Sequence, residues 1–406
     1  MQIDFTQNKN INLYFVFLFS FIPISILFGP TVSLINIIVI DTSFLILILK
    51  LKNFYFLKNK NFRYLIILFL YLIFNTLISL DYTLSMTRNL GFVRIIILFL
   101  AFNYFFSNHK FLNKVLISWA IILSIVCFDI FVEFLLGRNL LGFNGGIYEN
   151  RIVSFFKDEP IVGSFVNGFF LIVIGFLLNK YNLSNKNIIF LFAIIMLLTV
   201  ILTGERSSSI RLILSLALFI LFIYSISLKK KIVFLLSSVI ILTIVILNSD
   251  FLKYRFINQI KNVPISQNLY LKIYTSGIEV FKNYPLFGVG NKNYREETCK
   301  IDEKKNNLYL CQTHPHQVYL EFLSEHGIFG TLLIFYVLYK MIFSKIRMII
   351  VNQNFIQIGG LMYLLMIFLP LIPSGAFFGD FLLTLFAINL SMLYSSDTNL
   401  NTFMGR

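Results

Sequence analysis

The chain has 406 residues, 58% of them hydrophobic and 13% charged, with a mean hydropathy of +0.82. Those values exclude a soluble globular protein. The formal net charge of +15 would suggest nucleic acid in a soluble chain, but here it fits loops that hold a membrane protein in one orientation, with no nucleic-acid partner.

Apolar runs of the roughly 17–25 residues that cross a bilayer core recur along the whole length. Backbone polar groups in lipid must be satisfied internally, so such runs are helices, and the absence of strand-type alternation argues against a β-barrel. The heavy use of Phe, Ile, Lys and Asn is compositional and carries no functional meaning. The first apolar run follows MQIDFTQNKN. It has no basic start and no small-residue cleavage site before Gly29-Pro30, so it reads as a retained first span and not as a signal peptide. Expected spans cover 12–28, 31–49, 64–80, 92–106, 115–136, 160–178, 188–203, 211–227, 232–248, 317–343, 356–372 and 376–394. The expected fold is therefore all-α, a polytopic membrane protein with about twelve transmembrane helices in a single integral membrane domain over 1–406.

Short loops set the orientation. Lys50, Lys52, Lys58, Lys60 and Arg63 crowd the second connection, Lys110 and Lys114 the fourth, and Lys180 and Lys186 the sixth. Lys229, Lys230 and Lys231 fill the eighth, and Lys340, Lys345 and Arg347 lie at the tenth. All are even-numbered, so they fall on one side, the cytoplasm, and both termini are expected there. The odd connections then face outward. The fifth, around 137–159, is of moderate length; the ninth is a large loop over 249–315 that, in a bacterial inner membrane, is periplasmic. Long loops are uncommon without a function, and this one contains LYLKIYTSGIEVFKNYP, a candidate amphipathic helix lying on the membrane. No internal repeat supports a transporter built from paired halves. Cys127 lies inside a span as a packing residue. Cys299 and Cys311 share the large loop, where an oxidising compartment would permit a disulfide; two free thiols are the alternative, and the spacing does not resemble a zinc site.

The residues that could carry chemistry gather on the outer side. THPHQVYLEFLSEHG holds three of the four His of the chain. Pro315 fits the first turn of a helix, which puts His316 at the water–lipid boundary. Glu325, about 14 Å further along at about 1.5 Å per residue, faces roughly the opposite way. Glu321 and Glu325 share a face, and Gly327 and Gly330 could permit close helix approach. Ionisable groups at membrane depth are costly and are usually paired or functional; for His314 and His326 a structural role is the bland reading, and Glu325 could equally be a buried carboxylate bonded to nearby backbone. A second constellation, LTGERSSSIRL, offers Arg206 and Arg211 as bidentate donors for phosphate, with snorkelling Arg and capping Ser as the plain alternative. A third is RIVSFFKDEPIVGSF, with Arg151, Lys157, Asp158 and Glu159. The fourth, NYPLFGVGNKNY, is a glycine turn that lacks the context of a phosphate loop. Basic groups and a His on the outer face suit an anionic, lipid-borne substrate.

These segments together resemble the O-antigen ligase and O-antigen polymerase superfamily of bacterial inner-membrane glycosyltransferases. His316, Gln317, Leu320, Glu325, Gly327 and Gly330 stand where that family's H-N-x-x-L-x-x-x-x-E-x-G-x-x-G signature would place them, with a departure at Gln317. LTGERSSSIRL is similar to T-G-S-R-[ST]-A, with Glu205 in place of a small residue. YPLFGVGNKNY is similar to N-P-L-x-G-x-G-x-x-x-[FY], and RIVSFFKDEPIVGSF to a stretch of many polymerase members. The likeness covers roughly 150–345. Many members carry an Arg upstream of that Pro; here the position is near Tyr270, and Lys272 or Lys261 would have to serve.

The resemblance implies a glycan carried on undecaprenyl diphosphate, attacked at its anomeric carbon by an acceptor sugar hydroxyl. It implies His316 and Arg206 as catalytic residues. His316 would act as general base or orient the acceptor. Arg206 would stabilise the departing diphosphate, with Arg211, Arg151, Lys272 and Glu325 as substrate-binding residues. No metal or other cofactor is implied, though Asp158 and Glu159 form an acidic pair. Expected partners are the lipid-linked donor, a glycan or lipid A-core acceptor, membrane lipid, and a chain-length regulator or flippase. The Asp-Glu-Pro segment leans toward polymerase over ligase. A transporter or flippase for a lipid-linked glycan, or a non-catalytic assembly partner, are the alternatives.

Overall fold

The computed structural model describes residues 9–146, 151–157, 159–181, 186–262, 264, 267–299, 308–397 and 399–403, and among them no strand occurs. The first half runs α1 (Lys9–Leu27), α2 (Pro30–Leu51), α3 (Lys60–Leu77), α4 (Tyr82–Leu90), α5 (Phe92–Phe106), α6 (His109–Leu136) and α7 (Val162–Lys180). The second half runs α8 (Lys186–Leu202), α9 (Arg206–Leu221), α10 (Leu228–Asn248), α11 (Asp250–Lys253), α12 (Gln259–Asn262), α13 (Leu269–Asn283), α14 (Tyr294–Thr298), α15 (Val318–Met341), α16 (Ile346–Asn352), α17 (Phe355–Ile367) and α18 (Asp380–Ser395).

Among the described residues eight helical stretches are long and apolar enough to cross a membrane. The other expected spans coincide with helices that are shorter: α8, α17 and α18 are apolar, while α9 has 16 residues and opens on the polar RSSS. The span over 92–106 is preceded by α4, which the sequence reading placed in a short connection. Asp81 starts it by accepting the N–H groups of Thr83 and Leu84, an ordinary N-cap.

The centre of the bundle is α7. In its apolar window 83% of residues are buried, against 17% for α10 at the periphery. It packs on α17, α9 and α18. Small residues make the α7–α17 contact close: a Cβ on Gly175 would lie 2.2 Å from the Phe355 carbonyl oxygen, and one on Gly359 would lie 2.3 Å from that of Leu171. Without a hydrophobic force between helices in lipid, such backbone approach is a main source of association.

The expected single helix over 317–343 is two pieces. At Gly327 the backbone takes φ 61° and ψ −169°, and the turn Pro285–Gly290 docks against the break. Ile328 N–H donates to Pro285 O (2.9 Å), Phe329 N–H to Leu286 O (3.2 Å), Val289 N–H to Ser324 O (2.9 Å) and Gly290 N–H to Glu325 O (2.9 Å). Non-helical backbone at membrane depth is tolerated only when protein satisfies it, and here the PLFGVG turn does so. The two glycine motifs of the sequence are thus the two halves of one joint. The amphipathic segment expected to lie on lipid is α13, and its buried face packs on α15 instead. The reason is the same joint: α13 leads directly into the docked turn.

The connections expected outside share one end of the bundle. Leu80 N–H donates to Val289 O, Ile152 N–H to Thr203 O and Ser374 N–H to His316 O. The basic connections meet at the other, where Tyr224 N–H reaches Gln353 and Asn179 reaches Asn354.

Gly288 has φ +70°, and a Cβ there would lie 2.3 Å from the Glu325 carbonyl carbon; on Gly327 it would lie 2.4 Å from that of Leu286. Gly288→Ala and Gly327→Ala are each expected to cost about 3 kcal/mol or more. Gly375→Ala, with nothing within 4 Å, is expected to leave stability unchanged. Thermal unfolding in detergent checks all three.

Candidate active site

At this end, four buried glutamates each hold backbone N–H groups of a turn or of a helix start. Glu133 on α6 accepts from Val153 (3.1 Å) and Ser154 (2.6 Å). Glu205, just before α9, accepts from Gly163 (2.6 Å) and Ser164 (3.2 Å) at the start of α7, and from the Ser208 hydroxyl (2.8 Å). Glu321 accepts from Phe377 (2.9 Å) and Phe378 (3.4 Å). Glu325 accepts from Lys292 (3.0 Å) and Tyr294 (3.3 Å). A carboxylate accepting two amides carries strong, charge-assisted bonds. Glu325 is therefore a holder of the 290–294 turn, although it also faces a cavity. Asp129 adds a fifth hold through the Ser154 hydroxyl and Asn139.

His316 sits immediately before α15 with φ +52°, a conformation that non-glycine residues adopt only when their surroundings force it. The force comes from the segment that joins α17 to α18. Ser374 N–H donates to His316 O at 2.9 Å, and His314 Nε2 lies 3.3 Å from Ser374 O. A carbonyl only accepts, so His314 carries its proton on Nε2 and receives the Thr313 hydroxyl at Nδ1 (3.0 Å). The two imidazoles lie 4.0 Å apart between centroids, and Tyr270 stands edge-on to His316 at 6.2 Å. Burial pushes the His314 imidazole down to about 4, with His316 adding to the effect. Burial also lowers His316, against the Ser374 carbonyl. Both rings are neutral at pH 7, the form that accepts a proton.

Arg211 does not point a free guanidinium at this site. Its Nη2 donates to Pro373 O (2.8 Å) and Ile372 O (3.3 Å), and its Nε to Met366 O (3.2 Å). It holds the segment that in turn holds both histidines. Arg206, at the first position of α9, makes no hydrogen bond or ion pair among the described residues and is only partly buried. The carboxylate beside it, Glu205, is taken up by α7. Arg151 packs its Cγ 3.6 Å from a Cβ position on Gly204. Arg255 donates to Gly204 O at 3.4 Å and is 5% exposed. Arg255 thus reaches the Gly204 turn as well as Arg151. Lys272 is exposed on α13 and Lys261 is exposed on α12. The reading of the sequence missed Arg255 because it follows the first short helix after α10, inside what looked like unstructured loop. Asp158 lies outside the described residues. Cys299 and Cys311 are joined by a disulfide, with Cα atoms 4.5 Å apart.

Two hollows flank the segment Ile372–Phe381. On one side is a largely apolar groove of about 710 Å³, lined by Ile24, Ile37, Val126 and Phe156 and by the charged Arg94, Lys157, Glu159 and Asp380. On the other is a polar cavity of about 500 Å³ that reaches His314, Glu321, Glu325 and Arg88. Arg88, on the unforeseen helix α4, donates to Phe378 O at 2.7 Å.

Residues 191–335 match the family described as O-antigen ligase. That match, over residues 191–335, supports the O-antigen ligase and polymerase superfamily. The matched region holds Arg206, the Gly288 turn, the disulfide, His316 and the break at Gly327. It ends before the Ile372–Phe381 segment and begins after Arg151 and α4. No curated protein matches the chain. The match, together with the eight apolar helical stretches, supports a multi-pass membrane protein of glycosyltransferase type.

Replacing Glu321 by Leu strands two buried backbone N–H groups, and about 3 kcal/mol or more of stability is expected to be lost; Glu321→Gln, which keeps one accepting oxygen, should lose less. Unfolding midpoints of the two variants measure the difference. Maleimide labelling of unfolded protein should reach only Cys127 before reduction and all three cysteines after it.

Proposed function

We propose that this protein transfers a glycan from undecaprenyl diphosphate to an acceptor sugar hydroxyl at the periplasmic face of the bacterial inner membrane. The observation that carries the reading is the shared segment Ile372–Phe381. One stretch of chain touches both histidines through Ser374, takes the Arg211 guanidinium on α9, and walls the apolar groove with Asp380 and Phe381. A lipid chain, a diphosphate and an acceptor would meet across that stretch.

In the proposed step the acceptor oxygen forms a bond to the anomeric carbon as the bond from that carbon to the diphosphate oxygen breaks. The hydroxyl proton passes to His316, whose lowered proton affinity keeps it a free base at pH 7. The lipid diphosphate leaves with its charge stabilised by Arg206, aided by Arg151 and Arg255. The groove suits a polyprenyl chain because its walls are largely apolar, and Lys157 in its lining follows Arg151 in the same stretch of chain. The likeness of RIVSFFKDEPIVGSF to a stretch of many polymerase members favours a polymerase, which extends a glycan on its own carrier, over a ligase.

His316→Ala and Arg206→Ala are each expected to abolish transfer while leaving membrane insertion intact; normal glycan from either variant would remove the role given to that residue. A deletion strain separates the two versions. Surface glycan collapsed to one repeat unit is the polymerase result, whereas long chains stranded on the lipid carrier would mean a ligase. Because folding lowers the proton affinity of His316, its free-base form persists below the ordinary imidazole value of about 6.5. The acid limb of the rate profile should therefore fall below that value, and a limb at or above it would contradict His316 as base.

A further inference from the structure

The cavity beside His314 differs in chemistry from the surroundings of Arg206. Around Arg206 the neighbouring carboxylate is consumed by the start of α7. In the cavity, Arg88, Lys292 and Arg295 alternate with Glu296, Glu321 and Glu325. The walls are fixed. Glu321 holds Phe378 and Glu325 holds Lys292 through their backbone N–H groups, and Arg88 holds Phe378 through its carbonyl. Lys292 is itself held at φ +67°. A carboxylate has about four lone-pair sites, so Glu321, with three amide contacts, and Glu325, with two, each keep room to accept a further donor. The Lys292 ammonium and the Arg295 guanidinium make no hydrogen bond or ion pair among the described residues and are exposed.

A diphosphate offers acceptors only, and three carboxylates would oppose it in this cavity. A saccharide hydroxyl both donates and accepts, so it can bridge a carboxylate and a guanidinium at once. Leu84, Ala376 and Phe378 supply an apolar strip suited to the C–H face of a sugar ring. The volume of about 500 Å³ lies within the range of small-ligand pockets, about 300–1,000 Å³. His314 is the member of the His pair that lines this cavity, and its ring touches that of His316.

We propose that this cavity binds the terminal sugars of the acceptor glycan, with Arg88, Lys292, Arg295 and Glu296 as its recognition groups, and delivers the attacking hydroxyl past His314 to His316. The assignment rests on the glycosyl-transfer reading above and puts the donor and the acceptor on opposite faces of the Ile372–Phe381 segment.

The test uses the full chain in nanodiscs, titrated calorimetrically with oligosaccharide released by mild acid from the host's own surface glycan, and separately with inorganic diphosphate. Arg295→Ala and Lys292→Gln are each expected to weaken the oligosaccharide about tenfold, the loss of roughly one charge-assisted hydrogen bond, and to leave diphosphate binding unchanged. In turnover, Arg295→Ala should raise KM for the acceptor and not for the donor. No oligosaccharide binding by the wild type, equal binding by wild type and both variants, or a selective loss of diphosphate binding would each overturn the assignment. Oligosaccharide binding that the variants weaken, in a protein that transfers no glycan, would keep the cavity and refute the transfer reading.

Discussion

Everything at the end of the bundle that carries His316 depends on buried carboxylates accepting backbone N–H groups. Turns and helix starts leave backbone N–H groups that no helix pairs, and inside a membrane protein water cannot reach them. Glu133, Glu205, Glu321 and Glu325 satisfy them, one segment each. Each such bond is strong because the acceptor is charged and the surroundings are of low dielectric. The cost of burying the carboxylate is offset only while both its amides are in place, so the four turns are held rigidly or not at all.

That arrangement divides the charges of this region into two kinds. The four glutamates hold backbone, and among the described residues Arg206 has no ion-pair partner and the His pair no hydrogen bond to a carboxylate. Neutral imidazole and free guanidinium are what a transfer between a diphosphate leaving group and a sugar hydroxyl requires. Backbone strain marks the same places. Ser154, Lys157, Lys292, His316 and Leu371 all have positive φ, and each belongs to one of the turns the carboxylates or Arg211 fix. Strain of this kind persists only where the surrounding structure over-determines it.

Much of this was legible in the sequence. Apolar runs of bilayer length located the helices, because burial in lipid dictates their composition. The clustering of Lys and Arg in alternate connections separated the two ends. The His316 stretch, LTGERSSSIRL and the PLFGVG turn stood out by residue type. What the sequence could not show was partnership. Glu325 and Arg211 stood out as charges, but the backbone amides and carbonyls they hold leave no signature in the sequence. Glu205 looked like a departure from a pattern, and its role as the cap of α7 depends on a contact across 42 positions. The Ile372–Phe381 segment, Arg88 and Arg255 carried no motif at all. The first reads as an ordinary short connection, and the other two matter through contacts with residues far away in the chain.

The most direct measurement is reconstitution of the purified protein with a glycan on undecaprenyl diphosphate and a separate sugar acceptor, counting free lipid diphosphate against new glycosidic bonds. Transfer at this site predicts one lipid diphosphate released for each bond formed, with both lost together in His316→Ala. Glycan crossing the bilayer with no release of lipid diphosphate would contradict it.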